Sequence, residues 1–178
     1  MKKLNQIMLF IMAVSLVTFT SCSTDDDGGS GGSAPSGTLT AKVDGTSYQS
    51  MEISSSATLA NNGQNLIIIA SNSDGNAFAF TILGYEGADR TYQLDGGSNI
   101  FNSASYTETN VDLSNPQNST TEIWQAPYDD TLAGEISVSE ETDTKIIGTF
   151  RFMCKNVGGD LSVKNITEGT FNLNKQIQ

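Results

Sequence analysis

Residues 145–155 read Lys-Ile-Ile-Gly-Thr-Phe-Arg-Phe-Met-Cys-Lys, and no other stretch limits the possible folds of this chain as sharply. Phe150, Phe152 and Cys154 share one side of an extended segment, while Arg151 and Lys155 take the other. Period-two alternation is the mark of a strand with one face in a core. The same grammar recurs from Thr38 onward. Leu39 and Ala41 alternate with Thr40 and Lys42, and Asp44-Gly45 supplies the pair that a tight hairpin turn prefers. A return strand is expected over 47–53. Leu66-Ile67-Ile68-Ile69-Ala70, apolar on both faces, reads as a central strand. Phe78, Phe80 and Ile82 line one side of its expected hairpin partner.

The rest follows in short pieces. Tyr85 lies in a Gly84–Gly87 loop, a short strand follows at 91–94, and a polar, aromatic stretch at 99–107 reads as an edge strand. Residues 110–120 are irregular, 122–125 form a short strand closed by Pro127, and 134–139 alternate again. A short piece at 161–163 and a last strand at 165–173 end the chain's pattern. No stretch reads as an amphipathic helix of useful length. Roughly ten short strands separated by turn signals predict an all-β domain, a single antiparallel β-sandwich, with a lipocalin-like β-barrel as the alternative.

The start of the chain has a different character. Lys2 and Lys3 precede an apolar run from Ile7 to Phe19, and Thr20-Ser21-Cys22 follows. The run is shorter than the roughly 20 residues that span a bilayer. Basic tip, short apolar run, small residues and cysteine together predict a lipoprotein signal peptide over 1–21, with Cys22 as the lipidated first residue of the mature chain. Acyl chains such as palmitate, at ~0.8 kcal/mol per buried methylene, would hold the protein on a membrane. Residues 22–37, with Asp25-Asp26-Asp27 and a Gly/Ser-rich spacer, read as a tether, leaving 38–178 as the β domain.

Composition closes off several chemistries. Nine Lys and Arg face twenty Asp and Glu, a net charge of −11. Loss of Lys2 and Lys3 with the signal takes the basic count to seven, and the net charge to −13. Such a body repels phosphate backbones, so nucleic acid is not an expected partner. The chain has no histidine, which removes Ser-His-Asp and Cys-His catalysis and most zinc sites. With Cys22 taken by lipid, Cys154 has no disulfide partner and reads as an apolar filler.

Few residues remain as candidates for chemistry. Trp124, Tyr85 and Tyr128 are the aromatic side chains that could form a stacking platform for sugar rings. Trp124 reads equally as a core plug, with the two tyrosines capping its ends. Glu122 and Glu135 illustrate the carboxylate pair that glycoside hydrolysis needs, but twenty acids make such a pair uninformative. Asp129-Asp130 and residues 140–143 are acidic turns without the spacing of a calcium loop. Asp130-Thr131-Leu132 marks Thr131 as a possible O-glycosylation site. The N-glycan pattern at Asn118 and Asn165 has little meaning in a bacterial lipoprotein.

Several strings carry a resemblance. Leu39-Thr40-Ala41-Lys42-Val43-Asp44-Gly45, Gly84-Tyr85 with Thr91-Tyr92, Gly134-Glu135-Ile136, Gly148-Thr149-Phe150-Arg151-Phe152 and Gly169-Thr170-Phe171 occur in one order. That order resembles a domain-of-unknown-function family of small Bacteroidetes lipoproteins over nearly the whole β domain. The phylum's looser lipobox is similar to this one, where Phe19 stands in the usual Leu position. Its acidic export tag resembles Asp25-Asp26-Asp27. The resemblance implies an all-β fold and a place on the outer membrane facing the cell exterior; it carries over no catalytic or ligand residue. Gly-Thr-Phe-x-Phe is also similar to a strand of lipocalin-like barrels, which keeps a carrier of small apolar ligands as an alternative. The expectation is a monomeric, non-catalytic binding or structural module, without cofactor or metal, whose partners are the membrane and a glycan or envelope protein. A carboxylate-based hydrolase is the remote alternative.

Overall fold

A computed structural model of the protein describes residues 33–98 and 101–177. The expected signal peptide, Cys22 and the acidic start of the tether lie outside the described residues. The eleven strands there are β1 (Thr38–Val43), β2 (Thr46–Gln49), β3 (Ser55–Ala60), β4 (Asn65–Ser71), β5 (Ala77–Leu83), β6 (Arg90–Asp95), β7 (Asn102–Asn110), β8 (Thr120–Ala126), β9 (Leu132–Glu141), β10 (Lys145–Lys155) and β11 (Val163–Ile177). Two short 3-10 turns, Glu52–Ser54 and Pro116–Asn118, interrupt them. The chain is all-β, as its alternation predicts.

All eleven strands belong to one sheet, ordered β2-β1-β11-β3-β4-β5-β7-β8-β10-β9-β6, with a further β10–β11 pairing that joins distant parts of the order. The sheet forms two walls. One is β3-β4-β5-β7-β8 and the other β2-β1-β11-β10-β9-β6. They meet at β3–β11, through three residue pairs, and at β8–β10, through the single pair Lys155↔Gln125. The β3–β11 pairing is parallel, which departs from a purely antiparallel expectation. β11 runs on past the Thr38 end of β1, and its residues Lys175–Ile177 there meet β3, which runs in the same direction.

The walls bury one face each. Phe78, Phe80 and Ile82 of β5 face Phe150 and Phe152 of β10, and the rings touch across the interior, with Phe80–Phe150 centroids 4.8 Å apart and Phe78–Phe150 5.5 Å. A small apolar ligand of the lipocalin kind would have to displace these rings. The recurring Gly-Thr-Phe string has a physical reason. Gly148-Thr149-Phe150 and Gly169-Thr170-Phe171 lie antiparallel in register, so each phenylalanine is paired with the other string's glycine. A Cβ at Gly148 would sit 2.5 Å from the Phe171 ring, and one at Gly169 2.6 Å from the Phe150 ring. Each ring lies flat over the strand only because its partner has no side chain.

Local expectations fare unevenly. The β1–β2 turn has Asp44 and Gly45 both at positive φ, as a tight hairpin requires. β10 matches its expected bounds, and β4 and β5 pair along their whole length. β4 is a central strand, paired with β3 and β5, but only one of its two apolar sides is buried: Ile69 is 52% exposed. β2 stops at Gln49 and gives way to the turn at Glu52–Ser54. β7 is no edge strand, since it pairs with both β5 and β8; its Ser103, Ser105 and Thr107 are polar because they point outward. The two pieces expected at 161–173 are one strand, β11, bent by a bulge near Glu168, which has φ 50°. The end of the tether also belongs to the domain. Ala34 is buried, the Gly37 N–H donates to the Asn172 carbonyl (2.7 Å), and Asn172 Nδ2 donates to the Ala34 carbonyl (3.3 Å).

Candidate functional site

β11 positions the polar chemistry of the interior. Ile166, Phe171 and Leu173 face the core, and the same side of the strand carries Lys164 near one end and Lys175 near the other. A lysine at a core-facing position must find partners, because an unpaired buried charge is costly.

At one end Lys175 Nζ lies 3.1 Å from Glu141 Oε1, with both side chains largely buried. The Tyr85 hydroxyl donates to the other oxygen, Glu141 Oε2, at 2.9 Å. Tyr85 packs on Tyr92 with centroids 5.5 Å apart, and the Tyr92 hydroxyl accepts from the Glu86 N–H while donating to the Gly87 carbonyl. Burial, followed by the hydrogen bond to Glu141, pushes the Tyr85 hydroxyl far above its ordinary range. The cluster closes the core with every hydroxyl engaged.

At the other end Lys164 Nζ sits 4.3 Å above the Trp124 ring centroid and 5.9 Å from that of Tyr106. Its charge is met by Glu108 Oε1 at 2.9 Å and by Asp44 Oδ2 at 4.0 Å. Trp124 Nε1 donates to Ser162 Oγ at 2.9 Å. Beside it the Cys154 thiol donates weakly to the Lys164 carbonyl (3.7 Å), and burial pushes its pKa up to about 12. Cys154 is therefore a protonated filler with no access to thiolate chemistry near neutral pH.

The three aromatic candidates do not assemble. Tyr85 pairs with Tyr92, Trp124 with Tyr106, and Tyr128 stands near Lys155 Nζ (5.9 Å to the centroid). Among the described residues no ring contact joins any two of the three. Trp124 and Tyr85 are also buried, at 3% and 7% exposure, so neither offers an open face to a sugar. The sugar-stacking platform of Trp124, Tyr85 and Tyr128 is thus corrected: Trp124 plugs one end of the core and Tyr85 the other. Glu135 is held by Arg151 (2.9 Å) and Glu122 sits opposite Glu108 across β7–β8, so the two carboxylates serve different neighbours. Thr131 is exposed on the loop after Tyr128, where its hydroxyl donates to Asp129 Oδ1. That bond holds the Asp129 carboxyl below the usual range.

A different surface stands out, and it needs the register of five strands to be visible. Along the outer face of the β3-β4-β5-β7-β8 wall, one row reads Ser56, Ile69, Ala79, Ser105, Gln125, and the next reads Thr58, Ile67, Thr81, Ser103. No outward strand position on this wall carries Asp, Glu, Lys or Arg. The other wall's outer face holds ion pairs such as Lys42–Glu168 and Arg151–Glu135. In a chain of net charge −11 the first wall is a neutral, hydroxyl-rich sheet face. No cluster of three or more His, Cys, Asp or Glu able to hold a metal occurs among the described residues, and none of their helices is long and apolar enough to cross a membrane.

Fold and surface define an all-β domain with an aromatic core and one neutral outer face. A family model, "Domain of unknown function (DUF6252)", matches residues 36–173, and the chain belongs to this family. No curated protein and no solved structure matches it.

Proposed function

We propose that the protein is a non-catalytic binding or structural module of the cell envelope, held on the outer membrane by acyl chains on Cys22, whose uncharged wall contacts a neutral glycan. The observation that carries this reading is the absence of charge from the outward positions of β3, β4, β5, β7 and β8. A neutral polysaccharide presents hydroxyls and apolar C–H faces. Serine, threonine and glutamine side chains set between Ile67, Ile69 and Ile123 match both, and no ion has to be desolvated on contact. The non-catalytic part is supported by the pairing of Lys164 with Glu108, and of Lys175 and Tyr85 with Glu141, which occupies these core-facing groups with one another.

The test is a glycan array probed with the protein and with Thr81→Lys and Ser105→Glu, each of which places a charge on this wall. The reading expects retention on neutral glycans that both variants lose while keeping the wild-type circular dichroism. Absence of any neutral glycan signal, or one that both variants retain, overturns it.

A further inference from the structure

We propose that the Trp124 end of the core is a binding site for organic ammonium groups, filled at rest by the chain's own Lys164. An ammonium over an indole face, flanked by a second ring and two carboxylates, is the arrangement that recognises such cations. Here the rings are Trp124 and Tyr106, the carboxylates Glu108 and Asp44, and the occupant Lys164 Nζ at 4.3, 5.9, 2.9 and 4.0 Å respectively.

The walls stand without their occupant. Trp124 is fixed by its hydrogen bond to Ser162, Tyr106 packs on Phe78 with centroids 4.9 Å apart, and Asp44 Oδ1 accepts from the Asn165 N–H at 2.8 Å. Lys164 reaches these partners on a flexible four-carbon stem, so its ammonium can leave them without moving the strand. The carboxylates open the site to solvent, since the Glu108 and Asp44 side chains are 39% and 51% exposed. Lys175 provides an internal contrast. It also closes the core, but it meets Glu141 Oε1, whose other oxygen accepts from the Tyr85 hydroxyl, and no ring face lies over its ammonium among the described contacts. One lysine is a plain buried ion pair; the other sits in a cage. This inference is independent of what the neutral wall binds.

The probe is tetramethylammonium chloride, read through the fluorescence of Trp124, the single tryptophan of the chain. Wild type should bind weakly, because the cation must displace Lys164. Lys164→Ala should bind about tenfold more tightly, which corresponds to about 1.4 kcal/mol, and sodium chloride at equal ionic strength should give no saturable change. Adding Glu108→Gln to Lys164→Ala should weaken binding again. If Lys164→Ala folds poorly, the wild-type indole N–H resonance of Trp124 provides the readout: it should shift saturably with tetramethylammonium and not with sodium. A Lys164→Ala protein that folds and shows no saturable response overturns the proposal, as does a wild-type indole resonance that moves equally with both salts.

Discussion

Phe78→Ala removes the ring on which the two walls converge. That ring is fully buried and meets Tyr48 and Tyr106 at 4.9 Å, Phe150 at 5.5 Å, Phe80 at 6.0 Å and Phe152 at 6.3 Å. Truncating a buried phenylalanine costs about 3–5 kcal/mol through lost transfer energy and the cavity left behind. Each aromatic pair adds about 0.5–1.5 kcal/mol beyond area burial, so five partners place this site at the upper end. A domain of this size has a total stability of about 5–15 kcal/mol, so the variant sits close to its unfolding threshold. With a urea m-value of about 1.5–2 kcal/mol/M, the midpoint should fall by about 2–3 M. Trp124 fluorescence reports the transition from a different part of the same core. Phe78→Leu keeps most of the volume and should cost only about 1–2 kcal/mol. A midpoint shift below about 0.5 M for Phe78→Ala would refute the claim that the walls are packed through this ring.

Two further outcomes follow from the same core. Gly169→Ala places a Cβ 2.5 Å from the Phe150 carbonyl oxygen, which belongs to backbone and cannot step aside, so the midpoint should fall by the equivalent of about 1–3 kcal/mol. Gly45→Ala, in open space at φ +84°, should cost only about 1 kcal/mol through its left-handed conformation. Base should also destabilise the fold. Burial raises the Cys154 thiol from 9.0 to about 12, and burial raises the Tyr48, Tyr85 and Tyr106 hydroxyls above their ordinary 10.0. Groups raised in the folded state stabilise it fully below their unfolded values, and that contribution drains away as pH climbs through the folded ones. The urea midpoint should therefore hold up to pH 9 and decline from there toward pH 12, with Cys154→Ala removing the earliest part of the decline. A midpoint that stays level across that window would contradict the burial of these groups.

Much of the fold can be read directly from the alternation of side chains. β10 is legible end to end because Phe150, Phe152 and Cys154 contrast so sharply with Arg151 and Lys155. β11 is not, because the polar pair Lys164-Asn165 between Val163 and Ile166 makes one strand look like two, although both residues pair with β10 like their neighbours. Alternation also says which side of a strand a residue takes, never which end of the sheet it reaches. Tyr85 and Trp124 therefore look like partners in sequence and close opposite ends of the core in space. Lys164 carried a usable signal: it precedes Ile166 by two residues, so a strand that buries Ile166 turns Lys164 inward as well. Glu108, two residues after Tyr106, carries the same one. The neutral wall was illegible for another reason. Its serines and threonines are scattered over five strands, and only the register between strands gathers them into rows free of charge.

The account of where the protein works rests on Cys22, and intact mass spectrometry of the native protein from isolated envelopes addresses it most directly. The predicted result is a mature chain that begins at Cys22 and carries the mass of its acyl chains. A chain that begins at another residue, or at Cys22 without added mass, would contradict the lipid anchor.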